Sequence, residues 1–381
     1  MSRLNFVRSI LVLASAVATA NLCNAQSVDV LYAQQNSTIL TYTVDPATLQ
    51  ATQVGQPLTV AGVSAYVQLI PSPNDHFLYV LTAAQESEVT LSVYATNTSG
   101  VPQLPAVQTI GPESISQFTI DPNGKFAYMF QYSINSQGEY TFEMRLFTIN
   151  GATGKLTESP QVQVKFSPSY YCGPGFQGFY PNGSQLNYSL RCAYPDSSSG
   201  VFLYRDVNST TGQLGPAVKI FVFDDNDGGT SADSFLLSPQ SFNNLHLLNS
   251  QTSMRIYPLA ANLKASTINC TAAMLPACGQ ASQFWQDITG QYLVLSLYPN
   301  SEIVKVDLSQ KQITDTGSSF SDLQQPYFSF DDLMMYGVYY QPGSDSTIQI
   351  YGFNPNTGGL TTGEQLAIPA TLWNVFLAQR K

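Results

Sequence analysis

The chain has 381 residues, of which 10% are charged, and it carries a formal net charge of −10. So few cations in an acidic chain exclude a binder that relies on basic patches, whether for nucleic acid or for an anionic membrane surface. Tyrosine and phenylalanine number 22 and 21, far too many for a disordered chain, so a packed fold is expected.

The first segment stands apart from the fold. Arg3 and Arg8 form a positive start, and Ile10 to Ala20 is an uncharged apolar run too short to span a membrane. Ala25 suits the position before a cleavage site. Residues 1–25 read as a secretory signal peptide, which places residues 26–381 in the periplasm or outside the cell as one domain. Cys23 does not make a lipoprotein signal, because Asn21 and Leu22 are not the small residues that signal needs. No later run is apolar enough for membrane insertion.

From Val28 onward two turn series alternate. The first runs through Asp45-Pro46, Asn97-Thr98-Ser99-Gly100, Asn150 to Leu156, Asn208 to Leu214 and Asn354 to Leu360, with weaker copies near Ala260 and Ser309. Copies recur at roughly fifty residues, a period of repeat architectures. Gly supplies positive φ in such turns and Asn or Asp caps them. The second series runs through Ser72-Pro73-Asn74, Asp121-Pro122-Asn123-Gly124, Tyr180-Pro181-Asn182-Gly183, Ser238-Pro239, Thr289-Gly290 and Asp331-Asp332. Runs such as Phe77-Leu78-Tyr79-Val80 follow these turns and are rich in β-formers. Two turns per period and the links between periods make four short strands per repeat. The expected fold is therefore all-β: a seven-bladed β-propeller of four-stranded antiparallel blades. The first repeat opens without an inner strand, while Thr371 to Leu377 is a strand without a repeat. The C-terminal strand is expected to close the ring.

The Pro122-Asn123-Gly124-Lys125-Phe126-Ala127-Tyr128 stretch and the Thr-Gly-x-Leu turns at 153–156, 211–214 and 357–360 resemble lactonase-type propellers. Those are relatives of the propeller 6-phosphogluconolactonases and of exported YVTN-repeat propellers. The resemblance covers nearly all of residues 26–381 and implies the fold more than an activity, since its motifs are turns. In that family the inner strand often carries a Pro-Arg-His stretch five positions before the turn proline. Here Gln68, Gln117 and Ser234 hold that place, Gln283 stands at the matching position before Thr289, and Gln325 is close to it in the last repeat. The family's histidine and its neighbouring arginine are absent, which argues against inherited hydrolysis.

These glutamines and Ser234, with Trp285 on the same inner strand as Gln283, form the candidate ligand site. Side chains of one parity on inner strands face the central channel, and amides there present donors and acceptors to a neutral polar ligand such as a sugar or lactone. A polar lining that only binds channel water is the competing reading. Catalytic candidates are weak: Asp287 and Asp233 are inner-strand carboxylates, His76 sits in a tight turn, and His246 has apolar neighbours. No cofactor motif is present. Asp224, Asn226 and Asp227 are weak metal candidates, because their loop departs from the calcium-loop pattern at Gly228. Tyr170, Tyr171 and Phe176 are candidates for a stacking platform.

The cysteines beyond residue 25 are Cys172, Cys192, Cys270 and Cys278, and local disulfides Cys172–Cys192 and Cys270–Cys278 are expected of an exported chain. Long connections are expected at 131–139, 167–175, 224–231, 271–280 and 339–346, on the face opposite the tight turns, where binding belongs. The leading functional reading is a monomeric, non-enzymatic exported scaffold that binds a small polar ligand or surface partner through that face. The alternative is a lactone-ring hydrolase or isomerase.

Overall fold

The computed structural model describes residues 29–379 apart from 36, 61–65, 86–87, 167–168, 170–171, 180–182, 195–196, 225–234, 238–243, 250–252, 259–265, 270–282, 288–290, 298–299, 308–309, 311, 322–324, 330–332, 340–345 and 369–371. The expected signal peptide, Ser234, Asp233, Asn226, Asp227, Tyr170, Tyr171, Cys270 and Cys278 therefore lie outside the described residues. Among the described residues no helix is long and apolar enough to cross a membrane.

The fold is an all-β propeller of antiparallel sheets. Six blades are each cut from one continuous stretch of chain: sheet 2 (66–113), sheet 3 (115–165), sheet 4 (172–224), sheet 5 (235–269), sheet 6 (283–321) and sheet 7 (325–368). In each the strands lie in chain order from an inner strand outward. The expected count of seven is thus not reached by continuous blades. The remaining sheet, sheet 1, is composite: it joins residues 29–59 to the strand Leu372–Gln379.

Successive inner strands lie beside one another: Leu372–Gln379 beside Tyr66–Pro71, Ile115–Ile120 beside Cys172–Phe179, and Gln283–Gln286 beside Gln325–Phe328. The tight inner turns also meet in sequence. A Cβ added at Gly124 would stand 3.6 Å from Pro73, and one at Gly183 would stand 2.6 Å from Asn123 Nδ2.

The core lies between sheets. In sheets 2, 3, 6 and 7 the second strand is buried on both faces, so it reads as a continuous apolar run instead of alternating, as strands covered on both sides do. In Phe77–Gln85, Leu78 and Val80 pack with Val30 and Tyr32 of sheet 1, whereas Tyr79 and Leu81 pack with Phe118, Ala127 and Met129 of sheet 3. Tyr128 and Phe130 continue the scheme against Leu186 and Tyr188 of sheet 4. Met334 and Tyr336 of sheet 7 pack with Leu31 and Ala33 of sheet 1.

A repeated latch crosses these seams. The hydroxyls of Tyr32, Tyr79 and Tyr128 donate to the carbonyls of Gly100, Gly154 and Gly212 in the next sheet, at 2.7, 2.9 and 2.5 Å. Tyr336 donates to Asp29 Oδ2 at 2.8 Å. Burial holds the Tyr79 and Tyr128 phenols well above the usual tyrosine range, so both stay protonated donors.

Candidate functional site

The polar residues singled out by the repeat are placed first by their hydrogen bonds. An inner strand pairs with only one neighbour and leaves an edge of backbone groups that need partners. Gln68 Nε2 donates to the Phe118 carbonyl at 3.3 Å, and Gln117 Oε1 accepts the Phe176 N–H at 2.6 Å. Each glutamine reaches from its own inner strand to the backbone of the next. The outer rim repeats the device. Gln108 both accepts from Leu156 N–H at 2.6 Å and donates to its carbonyl at 3.0 Å, and Gln163 accepts from Leu214 N–H at 3.1 Å. Sequence reasoning missed Gln108 and Gln163, although they lie about one repeat apart. The backbones of Gln283 and Trp285 lie in the strand Gln283–Gln286, and Gln325 opens the strand Gln325–Phe328.

Asp287 is fully buried and caps a turn. Its Oδ1 accepts the Tyr292 N–H at 2.8 Å. Asp121 does the same for Lys125 and Phe126 at 2.7 and 2.6 Å, and the hydroxyls of Ser72 and Ser329 do it for Phe77 and Met334, each at 2.9 Å. The four positions are equivalent, each five residues before the start of the second strand's buried run. Asp287 therefore stands at the tight-turn end of its strand, with its carboxylate engaged by the backbone of the turn. His76 lies at the same face, in a groove of about 570 Å3 between two turns of sheet 2, lined also by Asn74, Asp75, Thr96 and Asn97. The polar groups of that groove serve the turns: Asn74 Oδ1 accepts the Ser72 hydroxyl, Asn97 Oδ1 accepts the Ser99 and Val101 N–H groups, and Thr96 donates to the Asp75 carbonyl.

Asp224 ends the strand Val218–Asp224. Among the described residues no group of three or more His, Cys, Asp or Glu side chains is clustered as metal ligands.

The opposite end of sheet 3 carries an exposed aromatic ledge. Residues 131–139 are not the long loop expected. The strands Phe126–Ile134 and Tyr140–Ile149 extend almost to each other and close through a short turn at Asn135. Alternation explains this, since Phe130, Tyr132 and Ile134 keep one parity beyond the blade core. Tyr132 lies opposite Phe142, and Ile134 opposite Tyr140, so the four side chains share one face. Ring centroids are 5.8 Å apart for Tyr132–Tyr140, 6.0 Å for Tyr132–Phe142 and 6.2 Å for Tyr140–Phe142, the last pair nearly parallel at 19°. Ile134 is 53% exposed and Tyr140 38%; the other exposed large apolar residues stand singly along the described chain. Inner strand Ile115–Ile120 pairs Ile115 with Gln131 at this end and Ile120 with Ala127 at the turn end, so the ledge sits on the face away from the tight turns.

The ledge is held firmly. Asn135 Oδ1 accepts the N–H groups of Gln137 and Glu139, and its Nδ2 donates to Glu139 Oε2 at 2.8 Å. Tyr140 and Ser169 exchange backbone hydrogen bonds at 2.9 and 3.0 Å. The disulfide Cys172–Cys192, formed as expected between opposed residues of adjacent strands, fixes the chain just beyond Ser169. Gly173 lies under the Phe142 ring, where an added Cβ would be 3.5 Å from Cζ. At the base, Gln131 Nε2 donates to Glu113 Oε2. Phe176, expected on a stacking platform, is instead packed inside the seam, stacked on Phe130 with centroids 4.1 Å apart.

No protein-family model matches the chain, and no curated protein matches it. Solved structures do. A candidate 6-phosphogluconolactonase from Bacteroides fragilis superposes with a TM-score of 0.59 at 16% identity, over 92% of this chain and 98% of that one. A second, from Bacteroides uniformis, gives 0.58 at 16% over 92% and 99%. A protein of unknown function from Desulfotomaculum acetoxidans gives 0.53 at 11% over 90% and 99%. At such identities the likeness establishes one thing, that the chain has the propeller fold of these proteins.

Proposed function

We propose that this chain is an exported binding propeller that takes a neutral saccharide or similarly small polar ligand on the aromatic ledge of sheet 3. The observation that carries the reading is the face shared by exposed Ile134 and Tyr140 and half-buried Tyr132 and Phe142, on a hairpin that a disulfide and a backbone clamp hold in place. Flat apolar rings cover the C–H face of a pyranose, while the Tyr140 hydroxyl and the Glu139 carboxylate of the adjoining turn offer hydrogen-bonding groups to its hydroxyls. A preordered platform also spares the ligand the ordering cost that weakens flexible sites. The ring on which the ledge stands is proposed to count seven blades, with composite sheet 1 as the seventh, closed by Leu372–Gln379. Its support is the pairing of that strand with Asp29–Gln35 and the packing of sheet 7 on sheet 1.

The alternative, ring opening or isomerisation of a lactone, draws its support from the names of the two Bacteroides structures. A panel of neutral saccharides and lactones separates the two when each compound is scored for thermal shift and for product. A binder at one hundred times its Kd adds about 2.7 kcal/mol of stability. The expected result is a shift with at least one saccharide and no product from any lactone. Product formation would favour the enzyme, and a panel without any shift would remove the binding reading.

A further inference from the structure

The outer turn of sheet 3 begins Asn150-Gly151, and both residues are exposed. Asn150 Oδ1 accepts the N–H groups of Ala152 and Thr153 at 3.0 and 3.1 Å, so the side-chain amide is held with its oxygen inside the turn. Two donors on that oxygen draw electron density from Cγ and meet any negative charge that develops on Oδ1, in the manner of an oxyanion hole. Nδ2, at the other end of the amide, has no hydrogen-bond partner among the described residues. The Gly151 N–H has none either, and nothing lies within 4 Å of the place a Cβ would take. A glycine nitrogen is the least hindered of backbone nucleophiles, and no residue moves more freely in φ and ψ.

The related pairs lack one part or the other. Asn123-Gly124 has the same two residue types, but the Gly124 N–H donates to the Asp121 carbonyl at 2.9 Å. Asn208 repeats the turn of Asn150, with Oδ1 accepting Thr210 and Thr211 N–H at 2.9 and 3.0 Å, but Ser209 follows it. Asn354 accepts the Asn356 N–H at 2.9 Å, but Pro355 follows it, and a proline nitrogen has no hydrogen to give up.

We propose that Asn150 is a self-modification site, converted through a cyclic imide to aspartate and isoaspartate. The Gly151 nitrogen attacks Asn150 Cγ and gives its proton to water. The N–Cγ bond forms, the Cγ–Nδ2 bond breaks, and Nδ2 leaves as ammonia. One water molecule then opens the ring at either carbonyl, and nothing is oxidised or reduced. In isoaspartate the chain runs through Cγ, which adds a carbon to the backbone and turns the former Asn150 carbonyl into a free carboxylate. That carbonyl accepts the Gly154 N–H at 2.7 Å, and the Gly154 carbonyl accepts the Tyr79 latch at 2.9 Å. The product therefore loosens the seam between sheets 2 and 3.

The full chain is incubated at mildly alkaline pH, folded and again in denaturant, and its peptides are followed by mass spectrometry with fragmentation that separates isoaspartate from aspartate. Folded, Gly124 must first release its hydrogen bond, which slows Asn123 by roughly two- to tenfold. The ratio of the Asn150 rate to the Asn123 rate is expected to rise by that factor on folding, with isoaspartate among the products at position 150. Gly151→Ala should suppress the reaction at Asn150 and leave Asn123 as it was. An Asn150 that stays intact in the folded chain, or a ratio that folding does not raise, would overturn the proposal.

Discussion

A chain ending at Ala370 is expected to unfold or aggregate at temperatures where the full chain is monomeric and folded. Leu372–Gln379 pairs with Asp29–Gln35 from Asp29–Gln379 to Gln35–Leu372, with one irregularity between Ala33 and Gln35. The other side of Asp29–Gln35 pairs with Thr38–Asp45, so it is a central strand, and Val30, Leu31 and Ala33 are fully buried. Truncation turns it into an exposed edge. Each hydrogen bond lost is worth about 0.5–1.5 kcal/mol net, and each buried side chain newly opened to water about 1.5–3 kcal/mol. Several of each are enough to exceed a net stability of about 5–15 kcal/mol. The exposed edge also offers itself to other chains. Melting curves and size-exclusion chromatography check the outcome. A truncated monomer with an unchanged Tm would show that the ring does not depend on this strand, whereas most termini tolerate trimming because nothing pairs with them.

The second large effect is expected at Gly212. Its φ is +71°, and an added Cβ would lie 2.6 Å from Phe126 Cδ1 and 2.9 Å from Leu146 Cδ1, while its carbonyl accepts the Tyr128 latch. Gly212→Val therefore combines left-handed strain of roughly 1–2 kcal/mol with overpacking of about 1–3 kcal/mol. Together these lower the Tm by about 3–7 °C. Gly151 is the control. It lies in the preceding copy of the same turn with nothing within 4 Å of an added Cβ, and Gly151→Ala should leave the Tm within about 1 °C. A Gly212→Val chain melting with the control would show that the turn does not bear on its neighbouring sheet.

Turns and buried strands were legible in the sequence because their chemistry is local. Asp121-Pro122-Asn123-Gly124 announces a capped turn whatever surrounds it, and Asp121 does accept the expected backbone donors. The apolar run after it also reads directly, since burial on both faces removes the alternation. The pairing of Cys172 with Cys192 followed from their closeness in sequence. The roles of the glutamines were not legible. Gln68 and Gln117 recur like a binding motif, but their partners are backbone groups about fifty residues away, and only the spacing of the sheets brings them together. The turn-capping part of Asp287 was hidden for a related reason. A carboxylate near the end of an inner strand is a candidate acid in one direction and a turn cap in the other, and sequence does not say which end faces the mouth. The ledge was hidden because Tyr132, Tyr140 and Phe142 continue the parity of core residues. Tyr140 is exposed, and Tyr132 and Phe142 half-buried, only because the paired strands run on past the buried residues of the blade.

The proposed function separates the groups that join the sheets from those that would meet a ligand, and one paired measurement tests that separation. For the saccharide giving the largest thermal shift, affinity and Tm are measured for the parent, Gln117→Leu and Tyr140→Ala. Gln117→Leu should lower the Tm, since it strands the Phe176 N–H, and leave affinity unchanged. Tyr140→Ala, at an exposed ring, should keep the Tm within about 1 °C and weaken binding roughly tenfold, the equivalent of 1.4 kcal/mol. The opposite pattern, with affinity lost on Gln117→Leu and retained on Tyr140→Ala, would contradict the account and return the binding site to the channel.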